Sequence, residues 1–358
     1  MRAYKVNCHE HSNPRAAILS ELFNGFSKTN GEQVEQLTAA MKRASGVFIH
    51  GKGRMGMILR AFGYRLASKC TVHNIGDVAV PPIGANDLLI VTPTGGYPRS
   101  STRFLEVARE NGACVAAMTA NRSGPISRLA DLFIEVDAKT MLPGDRRRSI
   151  QPMCSTLEQL GLLIFDAAIL LLEHPHTAFN ETVKCIKRDL EQAFLGVSER
   201  DIDELMLKTD AAPRLFFDAP GRELQLLSCY AMRCYHMGKQ VYVANEVSTP
   251  CMIRGDTLIV SCMDGADEAL LLRMKKAKES GATLLALTGG QSVKIFRDLC
   301  DVVIPISLPG VKSLNSLQCS DAVYGQCMLL ALDYAIAKSM RLGHIDENAL
   351  IKRHTNLE

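Results

Sequence analysis

The feature that most constrains this chain is that it repeats itself. VFIHGKGRMG (47–56) is echoed by LFFDAPGREL (215–224), GDVAVPPIGANDLLIVT (76–92) by NEVSTPCMIRGDTLIVS (245–261), and ARENGACVAAMT (108–119) by AKESGATLLALT (277–288). Gly53 and Gly221 lie 168 residues apart and Asp87 and Asp256 169 apart, so the offset drifts by a single residue. A drift that small over three matched segments is a duplication of one structural unit. At 358 residues the chain holds two domains of roughly 100–200 residues, each able to bury a core.

Within each copy, short β-branched runs alternate with helical patterns, which predicts βαβ units and a parallel sheet. Strands are expected near 47–50, 71–75, 87–92, 114–119 and 132–136, and again near 214–218, 240–244, 256–261, 283–288 and 301–306. After Gly53 the apolar residues Met55, Leu59, Phe62 and Leu66 recur on one face of a helix. The fold class is therefore α/β, two tandem doubly wound five-stranded sandwiches with flanking helices. We divide the chain into a helical arm (1–45), a first sheet domain (46–173), a helical bridge (174–212), a second sheet domain (213–340) and a C-terminal helix and tail (341–358), with Asp346 as the N-cap of that last helix.

Hydrophobic residues at 47%, charged residues at 22% and a formal charge of +3 describe a chain that folds throughout and offers no broad basic surface for nucleic acid. Arg146, Arg147 and Arg148 form one basic run, read either as a solvated loop or as an anion-binding corner. The twelve cysteines form no CxxC pair, which points to buried thiols in a reducing compartment. The N-terminus has no apolar leader, and no uninterrupted apolar run approaches the ~18 residues of a membrane span. We therefore expect a cytoplasmic protein without membrane contact. Cys8, His9 and His11 make a weak metal set, and neither metal nor cofactor is expected.

Ligands of a doubly wound sheet bind beyond the carboxyl ends of its strands. Two glycine-bearing turns sit there in the first copy. HGKGRMG (50–56) permits close backbone approach and is followed by a helix whose free N–H groups suit an anion. Thr92 to Ser101 (TPTGGYPRSS) places hydroxyls, glycines and an arginine before another helix, as a cradle for a tetrahedral anion or simply as Ser/Thr capping.

The order GxGRxG, strand, hydroxyl-rich turn, then ENGA before a strand resembles the sugar isomerase (SIS) domain, and the first copy is most similar to the hexulose phosphate isomerases. Their turns read approximately GAGRSG and SGSGET, and their APLGTLFE stretch is matched at Pro152 and Glu158 by QPMCSTLE (151–158). The resemblance covers residues 20–173 well and 214–340 as a diverged copy. It implies the flavodoxin-like SIS fold and an aldose–ketose isomerase acting through a cis-enediol on a small anionic sugar.

On that resemblance Glu158 is the catalytic base, held ahead of an apolar helix in a site closed to water. His354, after a short terminal helix, is the second acid–base residue, with His50 a further candidate. The substrate-binding residues are then His50, Gly51, Gly53, Arg54, Thr92, Thr94, Gly95, Gly96, Arg99 and Ser100. Departures from the pattern are Met55 in place of serine and Gly96-Tyr97 in place of Glu-Thr. In the second copy the matching turn carries Asp264, Asp267 and Glu268, which repel an anion, and Gly325 stands where Glu158 would fall.

Those departures leave open a sulfonated sugar, a non-catalytic sugar-phosphate sensor, or a lyase or deaminating isomerase on the same scaffold. No helix-turn-helix precedes the first domain. The apolar helix at 155–173 and the arm offer surface for a homo-oligomer, or for an intramolecular pairing that mimics one.

Overall fold

A computed structural model describes residues 13–93, 99–121, 125–142, 144–290, 292–308 and 316–354, with the backbone alone described for Arg99, Ser100, Pro125 and Ser127. The first copy contains α1 (Pro14–Ser27), α2 (Gly31–Arg43), β1 (Val47–Gly51), α3 (Gly53–Leu66), β2 (Val72–Asn74), β3 (Leu88–Thr92), α4 (Arg99–Glu110), β4 (Cys114–Thr119), α5 (Pro125–Leu129), β5 (Leu132–Glu135) and α6 (Ser155–Glu173). The second contains α7 (Phe179–Gly196), α8 (Glu199–Ala211), β6 (Arg214–Asp218), α9 (Gly221–His236), β7 (Gln240–Val243), β8 (Thr257–Ser261), α10 (Glu268–Glu279), β9 (Thr283–Gly289), α11 (Val293–Arg297), β10 (Val302–Ile306) and α12 (Ser320–Arg341). A final helix, α13 (Glu347–Lys352), follows, capped by the Asp346 carboxylate on the Asn348 amide.

Both sheets are parallel throughout. Their strand orders, β2-β1-β3-β4-β5 and β7-β6-β8-β9-β10, are one topology written twice. Helices cover both faces, so β3 and β8 are buried along their whole length and read as continuous apolar runs, whereas the edge strand β2 stays half-exposed.

The repeat is longer than the sheet. Residues 178–210 fold as α7 and α8; α8 starts and ends 168 residues after α2, and the pair packs on α12 as α1 and α2 pack on α6. Asn13 caps α1 ahead of Pro14, Asn30 caps α2 and Ser198 caps α8, each side chain accepting a first-turn amide. The segment that bridges the two sheets in sequence is thus also the second copy's counterpart of the N-terminal arm.

The copies meet through α3 and α9, which pack on each other, flanked by α6 and α12. One hydrophobic cluster runs through this junction, from Phe62 and Phe165 in the first copy to Tyr230 and Tyr324 in the second. Helix α6 is long and apolar enough to cross a membrane, but it lies almost wholly buried at the centre of the molecule. The surface that suggested a homodimer is therefore covered within the chain, by α7 and α12.

Candidate functional site

The first turn of the first copy is built by close backbone approach. Gly53 has φ +55°, and a Cβ on Gly56 would lie 2.4 Å from the Gly51 carbonyl oxygen, while one on Gly51 would lie 2.5 Å from Thr92 Oγ1. Gly51, Gly53 and Thr92 are thereby brought together at the carboxyl ends of β1 and β3. Gly56→Ala is expected to cost about 1–3 kcal/mol, because backbone rather than a flexible side chain must give way. Denaturant unfolding tests this: a cost below about 0.5 kcal/mol, the range of an ordinary surface substitution, would mean that the turn widens freely.

Two polar groups at this turn are left unsatisfied. Among the described residues, Oγ1 of Thr92, which is 2% exposed, has no hydrogen-bond partner, and neither has Nε2 of the half-buried His50. Burial, and then Lys52, push the His50 imidazole below its ordinary pKa, so it is neutral at pH 7. Its ring meets Phe104 edge-on at 4.7 Å. A buried hydroxyl without a partner is costly unless something else binds there. Thr94, Gly95 and Gly96 lie outside the described residues, and Arg99 and Ser100 contribute the backbone N-terminus of α4.

Arg54 does not face that turn's open side. Its guanidinium is buried; Nη2 donates to both carboxylate oxygens of Asp333 on α12 at 2.8 Å, and Nε lies 3.0 Å from Glu158 Oε2. Arg233 of α9 reaches the same Glu158 oxygen at 3.1 Å and Ser155 Oγ at 3.2 Å. Glu158 is thus deeply buried and held on Oε2 by one arginine from each copy. Among the described residues its Oε1 accepts only the Cys154 thiol, at 3.2 Å, a weak donor that leaves that oxygen open to a stronger partner. Burial, and then Glu158, push the Cys154 thiol up to about 12, so it stays protonated.

The network nearly repeats about the junction. Arg54 pairs with Asp333 while Arg222, its counterpart 168 residues on, pairs with Asp166 at 3.1 Å. Gln159 donates to Asp333 and Gln326 to Asp166, each glutamine also bonded to one eight residues earlier, Gln151 and Gln318. The repetition fails at Glu158: a Cβ on Gly325 would meet Arg222 Nη1 at 2.6 Å, so the second guanidinium fills the room that the first copy gives to a carboxylate.

His354 stands at the end of α13, its ring stacked at 5.4 Å on that of His236, the last residue of α9. Glu347 fastens this tail to the first copy by bonding Lys139 Nζ and the Met153 amide. His236 is buried, with Nδ1 unpartnered among the described residues. Burial, and then Arg233, His354 and Arg54, lower it to about 3, which keeps it neutral at physiological pH. Arg233 and His236 escaped the sequence reading. The available signal was AMRCYHMG (231–238), an arginine and a histidine three apart on one side of an otherwise largely apolar stretch, where the first copy has Arg65 and Ser68. Of the basic run, Arg147 serves as a strut: it binds Asp145 and the Ala120 carbonyl and holds the Asp145 carboxyl well below its usual range, while Arg146 and Arg148 are exposed.

No family model matches the chain. Curated relatives do. A 3-hexulose-6-phosphate isomerase of Bacillus subtilis (strain 168) is 32% identical over 181 residues, which span 49% of this chain and 96% of that protein. The chain belongs to the sugar isomerase (SIS) family. A second relative of the same name, from Mycobacterium gastri, is 31% identical over 166 residues, or 46% of this chain and 83% of that one. These relatives correspond to the first SIS copy. The tandem arrangement is matched by solved structures: the C-terminal domain of glucosamine-fructose-6-phosphate aminotransferase from Francisella tularensis superposes with TM-score 0.65 over 90% of this chain and 94% of that one at 11% identity. Glucosamine-6-phosphate deaminase from Thermotoga maritima does so with TM-score 0.56 over 92% and 94% at 12% identity. At such identities the likeness concerns the SIS fold alone.

Proposed function

We propose that this SIS protein is an aldose–ketose isomerase of a sugar phosphate, with its one site assembled from both copies. The observation that carries the reading is the buried Thr92 hydroxyl above a glycine turn, unpartnered among the described residues, in the same copy that retains Glu158. The anionic end of the substrate binds at the Gly51–Gly56 turn and the N-terminus of α4, where amides and the Thr92 hydroxyl supply donors without a competing charge. The reacting carbons extend toward Glu158, whose Oε1 removes the proton from the carbon beside the carbonyl. Arg54 and Arg233 hold that carboxylate in one orientation through Oε2. His354, beside the neutral His236, moves the proton between the substrate oxygens during ring opening and enediol formation. The names of the relatives make a 3-hexulose 6-phosphate the first substrate to try, on which the same proton shift through an enediol interconverts two ketoses rather than an aldose and a ketose.

The arginine-clamped state of Glu158 also suits a binding protein that senses a sugar phosphate without turning it over. Deuterium exchange separates the two. Incubation with phosphorylated, sulfonated and neutral ketoses in D₂O should label the carbon next to the carbonyl of a phosphorylated one, as read by proton NMR. Ligand binding without exchange in any of them would leave the sensor. Thr92→Val, which keeps shape and loses the hydroxyl, is expected to weaken binding of the productive ligand by roughly ten- to a hundred-fold, since a hydrogen bond to a charged group is worth about 1.5–3 kcal/mol. Calorimetry showing unchanged affinity would place the anion elsewhere.

A further inference from the structure

The turn that is unsatisfied in the first copy is satisfied in the second, by the protein itself. Ser261 ends β8 as Thr92 ends β3, and Glu223 stands in the first turn of α9 where Met55 stands in α3. The Glu223 carboxylate accepts from the Ser261 hydroxyl through Oε2 and, at 3.1 Å, from the Met263 amide through Oε1. Tyr324 OH lies 2.9 Å from Ser261 Oγ and completes the enclosure. A strand-end hydroxyl and a loop amide are the kind of donors that the first copy's turn offers to a ligand. Here both are occupied by a carboxylate that is 8% exposed.

The surroundings have changed to match. The glycines that clear the first turn, Gly51 and Gly56, are replaced by Ala219 and Leu224. Acidic Asp264, on the loop after β8, and Asp321, at the start of α12, flank Glu223 and oppose any incoming anion; burial and these neighbours raise the Glu223 carboxyl to about 7.

We propose that Glu223 is a built-in ligand that plugs the second copy's anion site, so that each chain binds one anionic ligand, in the first copy only. The second copy's remaining part in the chemistry is to present Arg233 and the His236–His354 pair to the first. The plug itself does not depend on the isomerase reading.

Glu223→Ala removes the atoms of an acetate from the plug and leaves Ser261 and Met263 without their acceptor. Acetate at roughly 50–200 mM should then raise the melting temperature of Glu223→Ala by about 2–5 °C more than that of wild type or of the isosteric Glu223→Gln, whose open site in the first copy is common to all three. Should Glu223→Ala not fold, Glu223→Ser provides the same cavity with a small polar group and is expected to respond in the same way. An equal acetate response in wild type and variant, or none in a folded variant, overturns the plug. Calorimetry of 6-phosphogluconate with wild type should give one site per chain, weakened roughly ten- to a hundred-fold in Thr92→Val and kept in Glu223→Gln; two sites per chain would also overturn it. No binding to wild type together with a selective acetate response would remove the isomerase reading and keep the plug.

Discussion

Glu158→Gln is expected to lower turnover by about two to four orders of magnitude while substrate affinity stays within a few-fold. The amide keeps the size of the carboxylate and an oxygen for Arg54 and Arg233, but it cannot accept the substrate proton. Glu158→Asp serves as a companion: it keeps the charge between the two guanidiniums and withdraws the base, so a large loss there with normal unfolding behaviour separates proton transfer from mere neutralisation of the arginines. His354→Ala should be milder, and much of its loss should disappear with a substrate supplied in open-chain form. Single-turnover kinetics and solvent exchange read all three variants. Normal exchange in Glu158→Gln would eliminate Glu158 as the base and leave His354 and His50 to be tested in its place.

The second large effect concerns the junction between the copies. Asp166 lies at the centre of α6 with no solvent exposure and neutralises two buried arginines, Arg65 at 2.7 Å and Arg222 at 3.1 Å, while accepting from Gln326 at 2.7 Å. Removing one partner of a buried ion pair costs about 3–5 kcal/mol, because the remaining charge is stranded away from water. Asp166→Ala is expected at the upper end of that range, a large part of the ~5–15 kcal/mol that holds a domain folded. Asp333→Ala should cost less, since it deprives one arginine rather than two and Arg54 retains the buried Glu158 at 3.0 Å, whereas Arg65 and Arg222 retain the more distant and more exposed Glu173 at 3.9 Å and Asp321 at 3.5 Å. Denaturant midpoints of the two variants give the order directly. Asp166→Ala within about 1 kcal/mol of wild type would mean that water reaches the stranded guanidiniums and that the junction is looser than its packing implies.

Much of the fold was legible because it was written twice. Each strand expected from the sequence falls within about two residues of an observed one, and the duplication predicts the identical strand orders. The helices at 178–210 were legible as helices, but their kinship with the arm was not: the turn motifs that reveal the repeat lie in the sheets, and amphipathic helices match one another too loosely.

The site was legible at its turns and not at its centre. Gly53 and Thr92 announce themselves by residue type and place, whereas the partners of Arg54 and Glu158, namely Asp333 and Arg233, lie 279 and 75 residues away along the chain. The packing of α3 on α9 with α6 and α12 alongside brings them together, and periodicity says which face of a helix is buried without saying against what. Glu223 was hidden for a similar reason. Its role depends on the hydroxyl that it meets, and the acidic turn beside it drew attention to repulsion rather than to an anion already in place.

The packing of α3 on α9 within a single polypeptide has a consequence for what this molecule can become. Two halves joined by a peptide link meet at an effective concentration fixed by the linker, so dilution does not part them as it parts a dimer of separate chains. Freedom from mass action brings freedom from symmetry. In a dimer of identical chains every substitution is made on both sides of the axis at once, and a change that improves one side must be endured by the other. Here the arginine at position 54 faces a glutamate and the arginine at position 222 faces a glycine, an inequality that no pair of identical subunits could encode.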